Sequence, residues 1–324
     1  MRIAIIDPRI QAPGLVKLFP DADYFVIKHL GRYDLHKTPD RFYNLYRFRY
    51  REDLEALTDA NYDALFIVYA CFDFRDKTRA DVQHHLQKLL EIVDKNPFRQ
   101  IVGFSNDDSP FDPAAECNYL KANIWFKRNF QTETTYCPNV LPFPFIMFGP
   151  ICPLWRVLTE KYTNPEKIDR VLWAGNASSS HGPNRNKDYM SRRELINSRM
   201  QTHLTTVNLS NNAYMRELSR SKFALDMNGE GDPNYRTFEL LMTDALIIQQ
   251  FKHLVWPFDD GDAFCEETIY KTPEQFVEKL ERLRADPDLY DRCIRMQKYI
   301  KGKYFTQEWL RNYIVKNICP ESSC

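Results

Sequence analysis

The chain lacks a net charge: 44 Lys and Arg offset 44 Asp and Glu over 324 residues. No overall field therefore draws it to nucleic acid or to an anionic membrane, and nucleic acid is not the expected partner. It lacks any run of about 20 apolar residues, which argues against a membrane span. It has no C-x-x-C pair and no histidines at zinc spacing beside its eight cysteines, so neither a zinc site nor a disulfide framework is expected. Six of the eight are expected to be mostly buried, reduced thiols, with Cys319 and Cys324 in an exposed tail. "MRIAIIDPRI" is too short and too soon interrupted for a signal peptide, which makes a cytoplasmic protein the expectation. No internal repeat or low-complexity segment occurs.

What is present is alternation. Hydrophobic residues make up 44% of the chain, enough for a full core, and the length favours two domains. Short apolar strands such as "RIAIID", "ADYFVIK", "DALFIVYA" and "RQIVGFS" alternate with helical stretches such as "RADVQHHLQKLLEIVDK", the pattern of α/β layering. Prolines at 138, 142, 144, 150 and 153 forbid a helix and mark a linker. The alternation then restarts with "DRVLWAG", "HLTTVNL", "KFALDMN" and "ALIIQQ". "SRRELINSRM", "NAYMRELSRS" and "YRTFELLMTD" are expected as helices. Residues 272–304 give two more, the first capped by Thr272, and "TQEWLRNYIVKNI" gives the last. The expectation is an α/β protein of two Rossmann-like lobes facing a cleft: 1–150, 151–303, and a 304–324 helix and tail crossing back to the first lobe. In doubly wound sheets ligands bind at the carboxyl ends of strands, which directs attention to those loops.

After "KFALDMN", the loop of Asn228, Gly229, Glu230 and Gly231 leads into a helix beginning near Tyr235. Two glycines and a proline suit a tight turn that lets a ligand approach backbone. The helix start offers free N–H groups to a diphosphate. Arg236 in the first turn can add a bidentate phosphate contact, and Glu239, three residues on, can accept two ribose hydroxyls. The competing reading is an i,i+3 ion pair on a solvated helix.

This order of strand, glycine-containing loop, Arg-x-x-Glu and "LLMTDALIIQQ" resembles the donor lobe of GT-B nucleotide-sugar glycosyltransferases. It is most similar to the CAP10 and protein O-glucosyltransferase group, with CgeB-like and exostosin-like lobes as neighbours. "VLWAGNASSSHGPNR…SRREL" is similar to that group's glycine turn followed by arginines. The resemblance spans roughly residues 168–310 and is architectural only in the N-terminal half. It implies Glu239 on the donor ribose, Arg236 on phosphate, Gly175 and Asn176 at a phosphate-side turn, and Arg192 or Arg193 as a second phosphate contact. Glu230 and Glu239 are separated by eight residues, one more than in the retaining enzymes that carry two glutamates, which weakens a retaining assignment, and the resemblance implies inversion.

Inversion requires a base for the acceptor hydroxyl. Asp73, past "DALFIVYA", and Asp107 and Asp108, past "QIVGFS", are the candidates, each equally suited to capping a helix or turn. "DAD" at 21–23 and "DGD" at 260–262 match a metal-binding pattern, but the expectation is no metal and no cofactor beyond the nucleotide-sugar cosubstrate. His84 and His85 are expected at surface or partly packed helix positions. The stretch 41–53, which interleaves Arg41, Arg47, Arg49 and Arg51 with five aromatics, suits either an acceptor surface or a strand with one apolar face.

The leading function is transfer of a sugar from a nucleoside-diphosphate donor, with UDP the expected nucleotide, to a hydroxyl of a glycan or other acceptor. The alternatives are an epimerase or phosphorylase on the same architecture, and a non-catalytic sugar or nucleotide binder.

Overall fold

The computed structural model describes residues 1–7, 14–26, 50–51, 53–57, 61–69, 80–96, 98–105, 111–144, 166–174, 198–207, 211–227 and 235–319. The chain divides into two compact units. One comprises Met1–Met147, Leu254–Pro257 and Gln307–Cys324; the other comprises Phe148–His253 and Phe258–Thr306.

The first unit carries a seven-stranded parallel sheet. Its strands are β1 (Ile3–Ile6), β2 (Asp23–Phe25), β3 (Tyr50–Arg51), β4 (Ala64–Tyr69), β5 (Gln100–Ser105), β6 (Ile124–Lys127) and β7 (Val140–Pro142). Their order, β3-β2-β1-β4-β5-β6-β7, reverses direction between β1 and β4, the arrangement of a doubly wound sheet. The described helices are α1 (Gly14–Leu18), α2 (Ala80–Lys95) and α3 (Pro113–Glu116). Asp112 caps α3 by accepting from Ala114 and Ala115 N–H. The strands are buried runs rather than alternating ones, because a parallel sheet is covered on both faces; Ile3–Ile6 is buried throughout. On one face Leu89, Ile92 and Val93 of α2 pack over Ile6, Ile67, Ile101 and Trp125.

Close packing makes one glycine essential there. Gly103 pairs in register with Trp125, and a Cβ at position 103 would overlap the indole ring, which is 1% exposed. Gly103→Ala is expected to cost about 1–3 kcal/mol of stability, the usual range for overpacking a filled core. Chemical denaturation measures it; an unchanged midpoint would mean that Trp125 does not cover Gly103.

The second unit carries a five-stranded parallel sheet. Its strands are β8 (Ile168–Ala174), β9 (Leu204–Val207), β10 (Ser221–Asp226), β11 (Leu246–Gln250) and β12 (Ile269–Tyr270). The order is β12-β11-β10-β8-β9, with its switch point between β8 and β10. Helices α4 (Asn211–Arg220), α5 (Tyr235–Leu241), α6 (Pro273–Ala285) and α7 (Pro287–Tyr304) complete this unit. Thr272 caps α6 by accepting from Gln275 N–H, and the Gln275 side chain accepts from the N–H of Lys271, the residue before the cap. Gln297 of α7 reaches the sheet, accepting from Ile247 N–H at 2.9 Å and donating to Ala245 C=O at 2.9 Å.

The last helix, α8 (Gln307–Ile318), belongs to the first unit. It packs against α1, buries Leu310, Ile314 and Ile318, and donates from Tyr313 to Pro142 C=O at 3.1 Å. Among the described residues no helix is long and apolar enough to cross a membrane.

Three local expectations change. "YRTFELLMTD" is helical only to Leu241, because Met242, Thr243 and Asp244 turn directly into β11 and Thr243 Oγ1 donates to Leu240 C=O. Where "SRRELINSRM" is described, Arg199–His203 is a short 3-10 turn rather than the end of an α-helix. Cys265 and Cys293 are not reduced thiols: they form a disulfide in the core of the second unit. Their Cα atoms are 5.3 Å apart, within the ordinary span for such a bond. Cys117 is buried and outside any disulfide, as the sequence suggested.

Candidate functional site

The site is built where β10 ends. Ala224 and Leu225 are buried in the middle of the sheet, and the next residue, Asp226, is still fully buried. A carboxylate there demands compensation. Two elements supply it. Lys252, which follows β11, places Nζ 2.9 Å from Asp226 Oδ2. Thr237 of α5 donates to the same oxygen at 2.8 Å, and Lys252 Nζ also lies 3.2 Å from Thr237 Oγ1. The Lys252 side chain is 5% exposed and that of Asp226 0%, so this is an interior ion pair.

The short helix forms over this pair because Phe238, Leu240 and Leu241 bury an apolar side. Its two singled-out residues differ in environment. Arg236 is half-buried, with its guanidinium carbon 5.7 Å from the centroid of the Tyr214 ring of α4. Glu239 is 6% exposed, which rules out the solvated ion-pair reading of this face. Burial pushes the Glu239 carboxyl up to about 7, against the opposing pull of the Arg236 charge. Desolvation likewise raises the Tyr214 phenol and, more strongly, the Tyr270 phenol of β12, which the Asp226 charge raises further.

The Tyr214 OH meets the Arg236 side chain, while two polar atoms here, Asp226 Oδ1 and Tyr270 OH, are buried and have no hydrogen-bond partner among the described residues. Each such atom costs about 1–3 kcal/mol unless water or a ligand completes it. Their concentration around one strand end is the pattern of a site whose occupant supplies hydrogen bonds. A carboxyl that titrates near neutrality and an adjacent guanidinium equip it for a ligand bearing both hydroxyls and anionic oxygens.

Of the residues expected from sequence, Arg236 and Glu239 are brought together on α5. Tyr235 opens that helix, but its side chain lies outside the described residues. Gly175, Asn176, Arg192, Arg193, Asn228, Gly229, Glu230 and Gly231 also lie outside them. In the chain, Gly175 directly follows β8, and Asn228 comes two residues after β10. These are the two strands that flank the switch point, where doubly wound sheets take their ligands.

The base candidates Asp73, Asp107 and Asp108 fall outside the described residues too, as does most of 41–53, of which Tyr50–Arg51 forms β3. His84 is exposed on α2. One aspartate of each acidic pair is engaged locally. Asp23 accepts from Tyr62 OH at 2.7 Å. Asp262 accepts from Lys303 Nζ at 2.6 Å and from Tyr304 OH, contacts that hold its carboxyl below the usual range.

Sequence reasoning passed over Asp226, Thr237, Lys252, Tyr214 and Tyr270. The one signal available was an aspartate ending an otherwise apolar strand.

A family described as glycosyl transferase-like matches residues 179–313, the segment that holds every residue of the site just described. By fold the chain is similar to an alpha-glucosyltransferase in complex with UDP and a 13-mer DNA containing a HMU base, at 13% identity and a TM-score of 0.55, over 98% of this chain and 99% of that one. It is also similar to a structure described as trehalose-6-phosphate from E. coli bound with UDP-2-fluoro glucose, at 12% identity and a TM-score of 0.54, with the same coverage. No curated protein matches by sequence.

Two parallel α/β Rossmann-like sheets, matching GT-B glycosyltransferase structures, are thus the architecture of this chain. A glycosyl transferase-like segment, residues 179–313, lies within this architecture. The match carries no indication of the CAP10 subgroup. The expectation that nucleic acid is not a partner gains no support from these structures, one of which holds DNA.

Proposed function

We propose that the protein transfers a sugar from a UDP-linked donor to an acceptor hydroxyl, with the donor seated against α5. The observation that carries this reading is Glu239, a carboxylate 6% exposed, beside Arg236 at the carboxyl edge of the second sheet. Ribose hydroxyls donate to Glu239, and Arg236 takes diphosphate oxygens. UDP is the nucleotide held by both structures of like fold.

In the transfer, the acceptor oxygen bonds to the anomeric carbon as the bond from that carbon to the diphosphate oxygen breaks. The electron pair leaves on the diphosphate, where Arg236 offsets the growing charge. The acceptor proton passes to a carboxylate, for which Asp73, Asp107 and Asp108 remain the candidates, and configuration inverts. No metal enters this scheme, since a guanidinium performs the electrostatic part. The CAP10-like placement is a finer part of the same proposal and rests on the motif order over 168–310.

A turnover panel of UDP-, GDP-, dTDP- and CMP-sugars, with and without EDTA, tests the proposal. Acceptors in the panel include a simple glycan, a serine-containing peptide and DNA bearing hydroxymethylated bases. Release of UDP alone, unaffected by EDTA, is the expected result. Turnover of another nucleotide would overturn the donor assignment, and loss with EDTA would overturn the metal-free scheme.

A further inference from the structure

We infer that Asp226, Thr237 and Lys252 form a positioning device for the donor site, a buried triad that sets the rotation of α5 and thereby the place of the Glu239 carboxylate. This rests on the donor-site reading above. In that reading Thr237 touches neither donor nor acceptor, and the triad acts on Glu239 through the helix.

The need for such a device follows from the helix itself. With seven residues, Tyr235–Leu241, α5 has about two turns and little intrinsic stability. Its apolar anchors, Phe238, Leu240 and Leu241, fix depth well and rotation poorly, since hydrophobic contact is non-directional. Side-chain ends lie about 5–6 Å from a helix axis, so a turn of about 20° would move the Glu239 carboxylate by about 2 Å. A misplacement of about 1 Å is enough to cost a large factor in rate.

Thr237 supplies the missing direction. It is buried at 2% exposure, one residue after Arg236 and two before Glu239. Its 2.8 Å hydrogen bond to Asp226 ties the first turn to the end of β10. Lys252 reaches the same acceptor oxygen at 2.9 Å beside the Thr237 hydroxyl, 3.2 Å away, and thereby joins three elements at one atom. An ion pair this deep is a poor source of net stability compared with an apolar core. What it provides instead is orientation, the role that supporting contacts play around functional side chains.

The test is a pair of substitutions at Thr237, read by calorimetric binding of UDP-glucose alongside thermal unfolding. Thr237→Val keeps the shape and removes the hydroxyl; Thr237→Ser keeps the hydroxyl. Thr237→Val is expected to weaken UDP-glucose binding about tenfold, and Thr237→Ser to restore it to within about twofold. Because the triad acts through Glu239, the Thr237→Val penalty should vanish in a Glu239→Gln background.

Penalties that multiply in the double variant, or a Thr237→Val protein that unfolds earlier yet binds UDP-glucose as before, would reduce the triad to a structural ion pair. If Glu239→Gln alone leaves binding unchanged, the donor-site reading falls and the inference falls with it. If Glu239→Gln weakens binding and Thr237→Val does not, only the positioning role is lost.

Discussion

Lys252→Met lowers the unfolding free energy by about 3–5 kcal/mol, the expected cost of leaving one member of an interior ion pair behind. The Asp226 side chain is fully buried and its Oδ2 receives both Lys252 and Thr237. With the ammonium gone, one hydroxyl must compensate a whole negative charge. The companion variant separates charge from packing. Asp226→Asn combined with Lys252→Met is expected to recover most of the loss, because no charge remains unpaired. Urea unfolding of the three proteins measures both effects. A single-variant loss below about 1 kcal/mol, the range of an exposed ion pair, would mean that Asp226 and Lys252 do not meet in the interior.

The second large effect falls on activity and runs opposite to stability. Glu239→Gln is expected to lower kcat/KM for the donor by about 10–100-fold, the equivalent of losing charged hydrogen bonds worth about 1.5–3 kcal/mol. The same change relieves the fold. Burial raises the Glu239 carboxyl to about 7, against about 4.3 in an unfolded chain. Between those values the folded state binds the extra proton. Stability therefore declines as pH rises through that window and levels off above it. Glutamine has no proton to lose, so the variant should lack this decline and gain melting temperature relative to the parent above neutrality. A melting-temperature difference that is the same on both sides of the window would show that Glu239 is not a desolvated carboxyl.

The pairing of gain and loss distinguishes a ligand-binding carboxylate from a structural one. A structural carboxylate would lose stability when neutralised.

The sequence made α5 and its two candidate residues legible for a local reason. A strand, a glycine-bearing loop and an amphipathic run are contiguous, so Arg236 and Glu239 could be placed on one helix from spacing alone. The supporting triad was not legible, because it is assembled by the sheet. Asp226 stands beside Gln249 only through the parallel register of β10 with β11, and this register brings Lys252 within reach across 26 positions. The Cys265–Cys293 bond, with 28 positions between its ends, escaped notice for the same reason. Strands β3 and β12 have two residues each, too few to show any period, and their place is set by the strands beside them. The longer strands betrayed themselves as continuous apolar runs bounded by turn residues, which is why the two-sheet α/β architecture followed from the sequence.

Titration calorimetry of UDP-glucose into the intact protein and its Glu239→Gln variant, at about pH 6 and about pH 8 on either side of the raised carboxyl, bears most directly on the central claim that α5 holds the nucleotide-sugar donor. UDP-glucose is the right probe because its esterified diphosphate does not titrate near neutrality. The account predicts tighter binding at the higher pH for the parent, since ribose hydroxyls donate best to an ionised carboxylate, and weak, pH-independent binding for the variant. Equal affinity in both proteins at both pH values would contradict it.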